Sequence, residues 1–248
     1  MLIRVTNRCS MGCPHCMVDA TPDGESMNVE TFKVSIQFIK QFYPLMMISG
    51  GEPTEHEALI ELLLIARSAD MHVSLLSNGE FLHDKAPRRR DKILELVNLV
   101  QVTNDPRFYP RRVEHFPHPK VLWETKIRMV SPQGRAATRD YGLPVTSQYP
   151  SCFNLRSASR VMGFENAVLH LRILGKACTP SINIDGSLSA GESPLCKKIG
   201  YITDSCKTIE HNVRLLRCTR CGRTNNLNSE QREAVGENSD LPEGARDD

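Results

Sequence analysis

The chain has 248 residues, of which 40% are hydrophobic and 24% are charged, with a net charge of +2 at pH 7. This composition is typical of a globular protein, and so small a net charge argues against nucleic acid as a partner. No stretch approaches the roughly 20 apolar residues of a membrane span. The N-terminal residues lack the layout of a signal peptide, so we expect a cytoplasmic protein without membrane contact.

Cysteine is the unusual residue type, because the chain contains nine copies. An odd number of cysteines in a cytoplasmic protein favours metal binding over disulfides. Three of them, Cys9, Cys13 and Cys16, fall within eight residues, and the other six follow residue 149. This distribution predicts two metal sites, one near each end of the chain.

The first half of the chain alternates strand and helix patterns. We predict strands over residues 2–5, 45–49, 72–76, 99–103 and 124–130, and helices near residues 29–42, 55–69 and 91–97. Apolar positions repeat at helical spacing in the helices, and turn residues end most of the strands. The alternation implies βαβ units and a parallel sheet, and therefore an α/β fold class.

Chemically distinctive residues follow the carboxyl ends of these strands. In open parallel sheets and in barrels, ligands bind at that edge, so we expect these segments to converge on one rim. The segments are the cysteine run 9–16, Gly50-Gly51-Glu52, Ser77-Asn78, the stretch from Thr103 to Asp105, and residues 133–135 with Arg135.

The alternation ends after residue 142. Residues 164–174 have a helical pattern, and residues 181–189 predict a hairpin around Asp185-Gly186. From about residue 225 the chain is rich in Ser, Asn, Glu and Gly, so we predict a disordered tail over 225–248. Two basic runs, 85–90 and 107–112, are interpreted as solvated loops or as contacts for an acidic substrate, peptide or RNA.

The spacing of the three N-terminal cysteines can hold three irons of a cubane iron–sulfur cluster. Structural clusters usually have four cysteine ligands, so the fourth iron would be open to another molecule. One alternative is a zinc site that recruits His15, but it leaves residues 50–52 unexplained. A ferredoxin-like cluster is the other alternative, and it would need a fourth cysteine nearby, which the chain lacks for over a hundred residues.

These motifs resemble those of the radical SAM (S-adenosylmethionine) superfamily, namely CxxxCxxC at Cys9, Cys13 and Cys16, and GGEP at residues 50–53. The resemblance covers roughly residues 2–140 and implies a partial (β/α) TIM-like barrel over residues 1–145. His15 stands where the family usually has an aromatic residue. The resemblance also implies that SAM is held by Gly50, Gly51, Glu52, Ser77, Asn78, Thr103, Asp105 and Arg135. The last of these lies in a run that is similar to one after the fifth strand of several members.

The second cysteine set can supply four thiolates to one closed site, which suits zinc or an auxiliary 4Fe–4S cluster. Its members are Cys178, Cys196, Cys218 and Cys221, the last two in a CxxC pair. The layout looks like the Twitch domain, a short relative of the SPASM domain, and implies a small hairpin-plus-helix domain over residues 146–224 with one auxiliary cluster. Cys206 could replace one of the four ligands, and Cys152 could contact substrate.

The resemblance implies that the reduced N-terminal cluster donates an electron to SAM and releases a 5′-deoxyadenosyl radical. That radical would remove a hydrogen from a small metabolite, and the auxiliary cluster would accept the second electron of a dehydrogenation or crosslinking. A ferredoxin or flavodoxin would supply the first electron.

Two other functions stay open at the level of sequence. The first is maturation of a ribosomal peptide that a partner protein delivers. The second, from a different class, is a non-catalytic protein that binds zinc or nucleic acid. We assign no catalytic base, because the candidates Asp105, Glu165 and His170 belong to residue types that are more often structural.

Overall fold

The computed structural model describes residues 1–84, 87–126, 135, 151–173, 180–191 and 196–216. Eight strands form one sheet in the order β5-β4-β3-β2-β1-β6-β7-β8. The strands are β1 Leu2–Thr6, β2 Leu45–Gly50, β3 His72–Ser77, β4 Leu99–Thr103, β5 Val121–Glu124, β6 Ser181–Ile182, β7 Ser187–Ser189 and β8 Lys198–Tyr201. The helices are α1 Val29–Lys40, α2 Leu59–Ser68, α3 Pro87–Leu96, α4 Ser151–Met162, α5 Phe164–Ile173 and α6 Cys206–Arg214, with short 3₁₀ turns at Pro53–Glu55 and Glu80–His83.

Strands β1 to β5 are all parallel, and β6 also pairs with β1 in parallel. Antiparallel pairing begins only at β7 and β8. Parallel neighbours joined through helices are the arrangement that the alternating pattern predicts. The α/β fold class and the partial barrel are therefore confirmed.

The two faces of the sheet differ in burial. One face is fully buried against the helices, and its apolar core includes Ile3, Ile48, Leu75 and Val100. The opposite face of β2, β3 and β4 is half-exposed, because every second residue there is only partly buried. We call this second surface the open face.

Helix α1 shows how local sequence sets these elements. The Asn28 side chain accepts a hydrogen bond from the Thr31 N–H at 2.7 Å, which caps the helix. Phe32, Ile36 and Ile39 lie on one face and are buried in the core. The helix ends at Lys40, two residues before the predicted end.

The largest error of the sequence prediction in the first half is the fifth strand. The structure places β5 at Val121–Glu124, whereas the prediction began at Glu124 and ran into residues 127–130, which lie outside the described part. The stretch before β5 is rich in proline, at Pro110, Pro117 and Pro119, which obscures where the strand starts. The prediction also lacked α4, β8 and α6.

The predicted hairpin is confirmed, with β6 and β7 joined by the turn at Asp185-Gly186. Gly186 has φ +77°, and the Asp185 carboxylate accepts hydrogen bonds from Ser187 N–H at 2.9 Å and Ser187 Oγ at 2.6 Å. The hairpin extends the main sheet through the pairing of β6 with β1. The division into domains at 145 and 224 stays a prediction, and the tail 225–248 lies outside the described residues.

Among the described residues, no helix is both long enough and apolar enough to cross a membrane.

Candidate functional site

The three N-terminal cysteines lie in a loop that leaves β1 at the carboxyl end of the sheet. Cys9 N–H donates to the Thr21 carbonyl at 2.8 Å, and Cys16 N–H donates to the Cys13 carbonyl at 3.2 Å. The Cys16 sulfur in turn accepts a hydrogen bond from Ala20 N–H at 3.4 Å. Backbone hydrogen bonds therefore fix the loop around its sulfur atoms.

The three thiols are close enough to influence one another. Burial raises the pKa of Cys9 to about 11 and that of Cys13 to about 12, and the neighbouring cysteine charges add to both shifts. Three thiolates can coexist here only beside a strong positive charge, which iron would supply. The chemistry of these donors therefore fits an iron–sulfur cluster.

A single zinc ion and a cubane cluster place different demands on three cysteines. Within the described part of the chain, no three His, Cys, Asp or Glu side chains are close enough to share a single metal ion. In a cubane each thiolate binds a different iron, so the sulfurs need not approach one another as zinc ligands must.

Gly50 and Gly51 bring β2 against the start of the cysteine loop. Gly51 N–H donates to the Thr6 carbonyl at 2.6 Å, and the next N–H, that of Glu52, donates to the Arg8 carbonyl at 2.8 Å. A Cβ at Gly50 would lie 2.1 Å from the Thr6 oxygen, and one at Gly51 would lie 2.4 Å from the Arg8 oxygen. Both glycines are thus required by the approach of backbone to backbone, and their contact with SAM stays a prediction.

Glu52 is buried, with only 2% of its surface exposed, and its carboxylate is surrounded by donors. One oxygen accepts from Thr54 N–H at 3.1 Å, Thr54 Oγ1 at 2.7 Å and Ser77 Oγ at 3.0 Å. The other oxygen accepts from Asn78 N–H at 2.7 Å. Burial raises the pKa of Glu52, and these donors oppose that shift. The carboxylate therefore joins the rim segments that follow β2 and β3.

The Asn78 side chain has one buried hydrogen-bond donor that is not satisfied within the structure. Its side-chain oxygen accepts from Glu80 N–H at 2.9 Å, and its backbone carbonyl accepts from Asn104 Nδ2 at 3.2 Å. Its own Nδ2 is buried and has no hydrogen-bond partner in the structure. Buried donors are rarely left unsatisfied in native proteins. An orphaned amide donor on this rim fits the hydroxyl groups of the SAM ribose.

Thr103 and Asp105 lie at the end of β4, as the sequence predicts. Asp105 is buried and accepts hydrogen bonds from Arg107 through Nε at 3.0 Å and Nη2 at 2.6 Å. The structure thus gives Asp105 a protein partner, and its predicted contact with SAM stays untested.

Arg135 is far from the cysteine loop in sequence but contacts it in the structure. Its Nε donates to the Cys13 carbonyl at 3.1 Å, and its Nη1 donates to the Ala20 carbonyl at 2.9 Å and to the Asp19 carboxylate at 3.0 Å. Its positive charge lowers the pKa of Cys13, against the larger effect of burial. Arg135 therefore stabilises the loop itself.

The structure adds an aromatic group beside the cysteines that the sequence did not reveal. The His15 ring lies 4.9 Å from the Tyr109 ring and 5.8 Å from the Phe108 ring, measured between centroids. Burial lowers the pKa of His15 and raises that of Tyr109, whose pKa the charges of the nearby cysteines raise further. The loop between β4 and β5 thus covers one side of the cysteine loop.

The basic run 107–112 is partly neutralised by this arrangement. Arg111 binds the Glu80 carboxylate through Nε at 2.5 Å and Nη2 at 2.9 Å, and its Nη2 also donates to Ser10 Oγ at 3.1 Å. Ser10 in turn donates from N–H and Oγ to Glu55 at 2.8 and 2.9 Å. These contacts tie the cysteine loop to three neighbouring segments.

The second cysteine set is not brought together by the described residues. Cys196 lies just before β8, and Cys206 begins α6, where its sulfur is 3.9 Å from Gln41 Oε1. Cys178, Cys218 and Cys221 lie outside the described residues, and for Cys152 the structure describes only the backbone. The auxiliary site therefore stays a prediction.

Part of the chain is similar to a known family. Residues 3–114 match the model of the radical SAM superfamily. This match covers 112 of the 248 residues. This region contains the cysteine loop, the two glycines, Glu52, Asn78 and Asp105.

Relatives among characterised proteins differ in what they do. The chain is 35% identical over 83 residues to 7,8-dihydro-6-hydroxymethylpterin dimethyltransferase of Methanocaldococcus jannaschii, covering 31% of this chain and 16% of that protein. It is 26% identical over 101 residues to PqqA peptide cyclase of Bradyrhizobium diazoefficiens, covering 40% and 25%. The chain thus spans a quarter or less of the length of these two relatives.

A solved structure extends the likeness to most of the chain. The crystal structure of BtrN in complex with AdoMet and 2-DOIA superposes with a TM-score of 0.51, at 14% identity, over 85% of this chain and 81% of BtrN. At so low an identity the likeness shows a shared fold.

Proposed function

We propose that this protein is a radical SAM oxidoreductase that acts in the cytoplasm on a small metabolite. The observation that carries the proposal is the set of three neighbouring cysteine thiols on a rim where the side-chain Nδ2 of Asn78 has no hydrogen-bond partner. When bound together, the reduced cluster and SAM supply a 5′-deoxyadenosyl radical, which abstracts hydrogen from a substrate.

The residues of the chain position these groups. Cys9, Cys13 and Cys16 would hold the cluster, and Arg135 would keep their loop in place. Asn78 would donate a hydrogen bond from Nδ2 to SAM. The Glu52 carboxylate would orient Asn78 by accepting a hydrogen bond from the Asn78 backbone N–H. His15 and Tyr109 would exclude water from the cluster on the side of the β4–β5 loop.

The oxidative outcome depends on an acceptor for a second electron. We propose that Cys178, Cys196, Cys218 and Cys221 bind an auxiliary 4Fe–4S cluster in a Twitch-like domain over residues 146–224. Their number and spacing support this assignment. Such a cluster could accept the electron of a substrate radical, and a ferredoxin or flavodoxin would reduce the first cluster.

A second candidate function is the modification of a ribosomal peptide. It is supported by the similarity of the radical SAM region to PqqA peptide cyclases. The two candidates differ in the substrate and share the chemistry at the cysteine loop.

The test is anaerobic reconstitution of the full chain with iron and sulfide, followed by addition of SAM and dithionite. We expect 5′-deoxyadenosine by chromatography and a reduced-cluster resonance that shifts when SAM binds. The variant Cys13→Ala should abolish both, whereas Ser68→Ala, at an exposed position of α2, should retain both. Wild-type protein that keeps zinc stoichiometrically and forms no 5′-deoxyadenosine would refute the proposal in favour of a non-catalytic metal protein.

A further inference from the structure

Tyr109, in the loop between β4 and β5, is held against the cysteine loop. Its backbone N–H and that of Phe108 both donate to the Asp105 carbonyl at 2.9 Å, which makes a tight turn after β4. Its ring lies 4.9 Å from the ring of His15, which stands directly before Cys16. The turn and the ring contact together restrict the direction in which the phenol points.

The hydroxyl group of Tyr109 has no hydrogen-bond partner within the described part of the chain. Burial raises the pKa of Tyr109, and nearby negative charges raise it further. Of these charges, that of Cys13 has the largest effect, followed by that of Glu52. The hydroxyl group therefore lies on the inner side of its loop, close to Cys13, and it keeps its proton at neutral pH.

The Glu52 carboxylate is not the acceptor for this hydroxyl group. It already accepts four hydrogen bonds, from two groups of Thr54, from Ser77 and from Asn78. A carboxylate has about four acceptor positions, so these donors occupy it fully. The acceptor must therefore be sought on the cysteine side of the hydroxyl group.

The other sulfurs of the cysteine loop already have backbone donors. Ala20 N–H donates to the Cys16 sulfur at 3.4 Å. Burial raises the pKa of Cys9, and a hydrogen bond from the Met11 backbone opposes that shift. Hydrogen bonds to the sulfurs are one of the factors that set the reduction potential of an iron–sulfur cluster. Reduction adds negative charge, which a donor stabilises, so each such bond raises the potential.

We propose that the Tyr109 hydroxyl group donates a hydrogen bond to a sulfur atom of the N-terminal cluster, on the side of Cys13, and so raises the reduction potential of that cluster. The inference rests on the proposed function and deepens it. The potential of this cluster decides which one-electron donor can reduce it, and Tyr109 is the side chain that sets part of its value.

The test is a redox titration of the anaerobically reconstituted full chain, without SAM, followed by electron paramagnetic resonance. The resonance of the N-terminal cluster is identified as the one that Cys13→Ala removes, which separates it from any auxiliary cluster. Tyr109→Phe removes only the hydroxyl group. We expect the equilibrium constant for reduction to fall by about 3- to 10-fold, the effect of one hydrogen bond, which lowers the midpoint potential by about 30 to 60 mV.

The matched control is Tyr201→Phe, the same substitution on β8. Tyr201 is 42% exposed, and its ring contacts Lys198 Nζ at 3.4 Å from the ring centroid. This variant should keep the midpoint potential of wild type. Equal potentials of Tyr109→Phe and Tyr201→Phe would overturn the proposal. If, in addition, only Tyr109→Phe binds SAM more weakly in equilibrium dialysis, the hydroxyl group serves SAM instead of the cluster.

A second measurement covers the case in which Tyr109→Phe does not bind iron. Incorporation of 3-fluorotyrosine at position 109 keeps the ring and the hydroxyl group but makes that group a stronger donor. The midpoint potential should then rise, whereas 3-fluorotyrosine at position 201 should leave it unchanged. A potential that does not respond to fluorine at position 109 would contradict the hydrogen bond.

The failure of this inference differs from the failure of the proposed function. A reconstituted chain that shows no N-terminal cluster, or that forms no 5′-deoxyadenosine from SAM and dithionite, contradicts the proposed function. A chain that binds the cluster and cleaves SAM, but whose potential is the same with and without the hydroxyl group, contradicts only the role of Tyr109.

Discussion

Replacing Glu52 by glutamine tests whether a buried carboxylate joins the rim segments after β2 and β3. Glutamine can place its carbonyl at the oxygen that accepts from Thr54 and Ser77, so three hydrogen bonds can persist. Its NH₂ group must then face the Asn78 N–H, which donates at 2.7 Å to the carboxylate. Two donors would face each other in a buried position.

The expected cost is that of one lost charge-assisted hydrogen bond with a buried donor left unsatisfied, about 2–3 kcal/mol. For a chain of this size, that corresponds to a decrease in melting temperature of about 4 to 12 °C. We expect SAM affinity to fall as well, because Asn78 loses its anchor.

The matched control is Glu57→Gln, the same substitution in the same segment. Glu57 pairs with Arg8 at 2.8 Å, but its side chain is 85% exposed. An exposed ion pair contributes about 0–1 kcal/mol, so this variant should melt within about 4 °C of wild type. Anaerobic thermal unfolding followed by circular dichroism compares the two variants. Equal melting temperatures for Glu52→Gln and Glu57→Gln would refute the role of the buried carboxylate.

Three further predictions concern the same site. Gly51→Ala should destabilise the protein by about 1–3 kcal/mol and lower its iron content, since the new Cβ would lie 2.4 Å from the Arg8 oxygen; full iron loading would contradict this. Asn78→Leu should weaken SAM binding in equilibrium dialysis by about 3- to 10-fold through loss of the orphaned donor, and an unchanged affinity would count against the ribose contact. Alanine at all three cysteines of residues 9–16 should leave about one cluster per chain by iron analysis, and no iron at all would rule out an auxiliary cluster.

The order of strands and helices could be predicted in the first half of the chain because each element has its own pattern. In the strand Leu99–Thr103 buried residues alternate with partly buried ones, and its predicted bounds agree with the structure. Helix α6 was missed because it buries only Ile209 and Val213 on an otherwise polar surface. The N-cap of α6 is Ser205, whose Oγ accepts a hydrogen bond from Thr208 N–H at 3.2 Å. Serine is a residue type that is common at this position.

The convergence of the rim segments also followed from the sequence, since the ends of parallel strands meet at one edge. The hydrogen-bond partners of each side chain could not be predicted from the sequence. The contact of Glu52 with Ser77 and Asn78 depends on β2 lying beside β3, and that of Arg4 with Asn183 depends on β6 lying beside β1. Neither adjacency is encoded in a local pattern.

The position of β1 between β2 and β6 has a consequence for how the protein is made. The strand that leads into the cysteine loop emerges from the ribosome before its second neighbour, Ser181–Ile182, which is synthesised about 180 residues later. Contacts so distant in the chain form slowly, and until then one edge of β1 has unpaired backbone groups. A nascent chain that stalls before the hairpin is made would therefore be prone to aggregate through that edge.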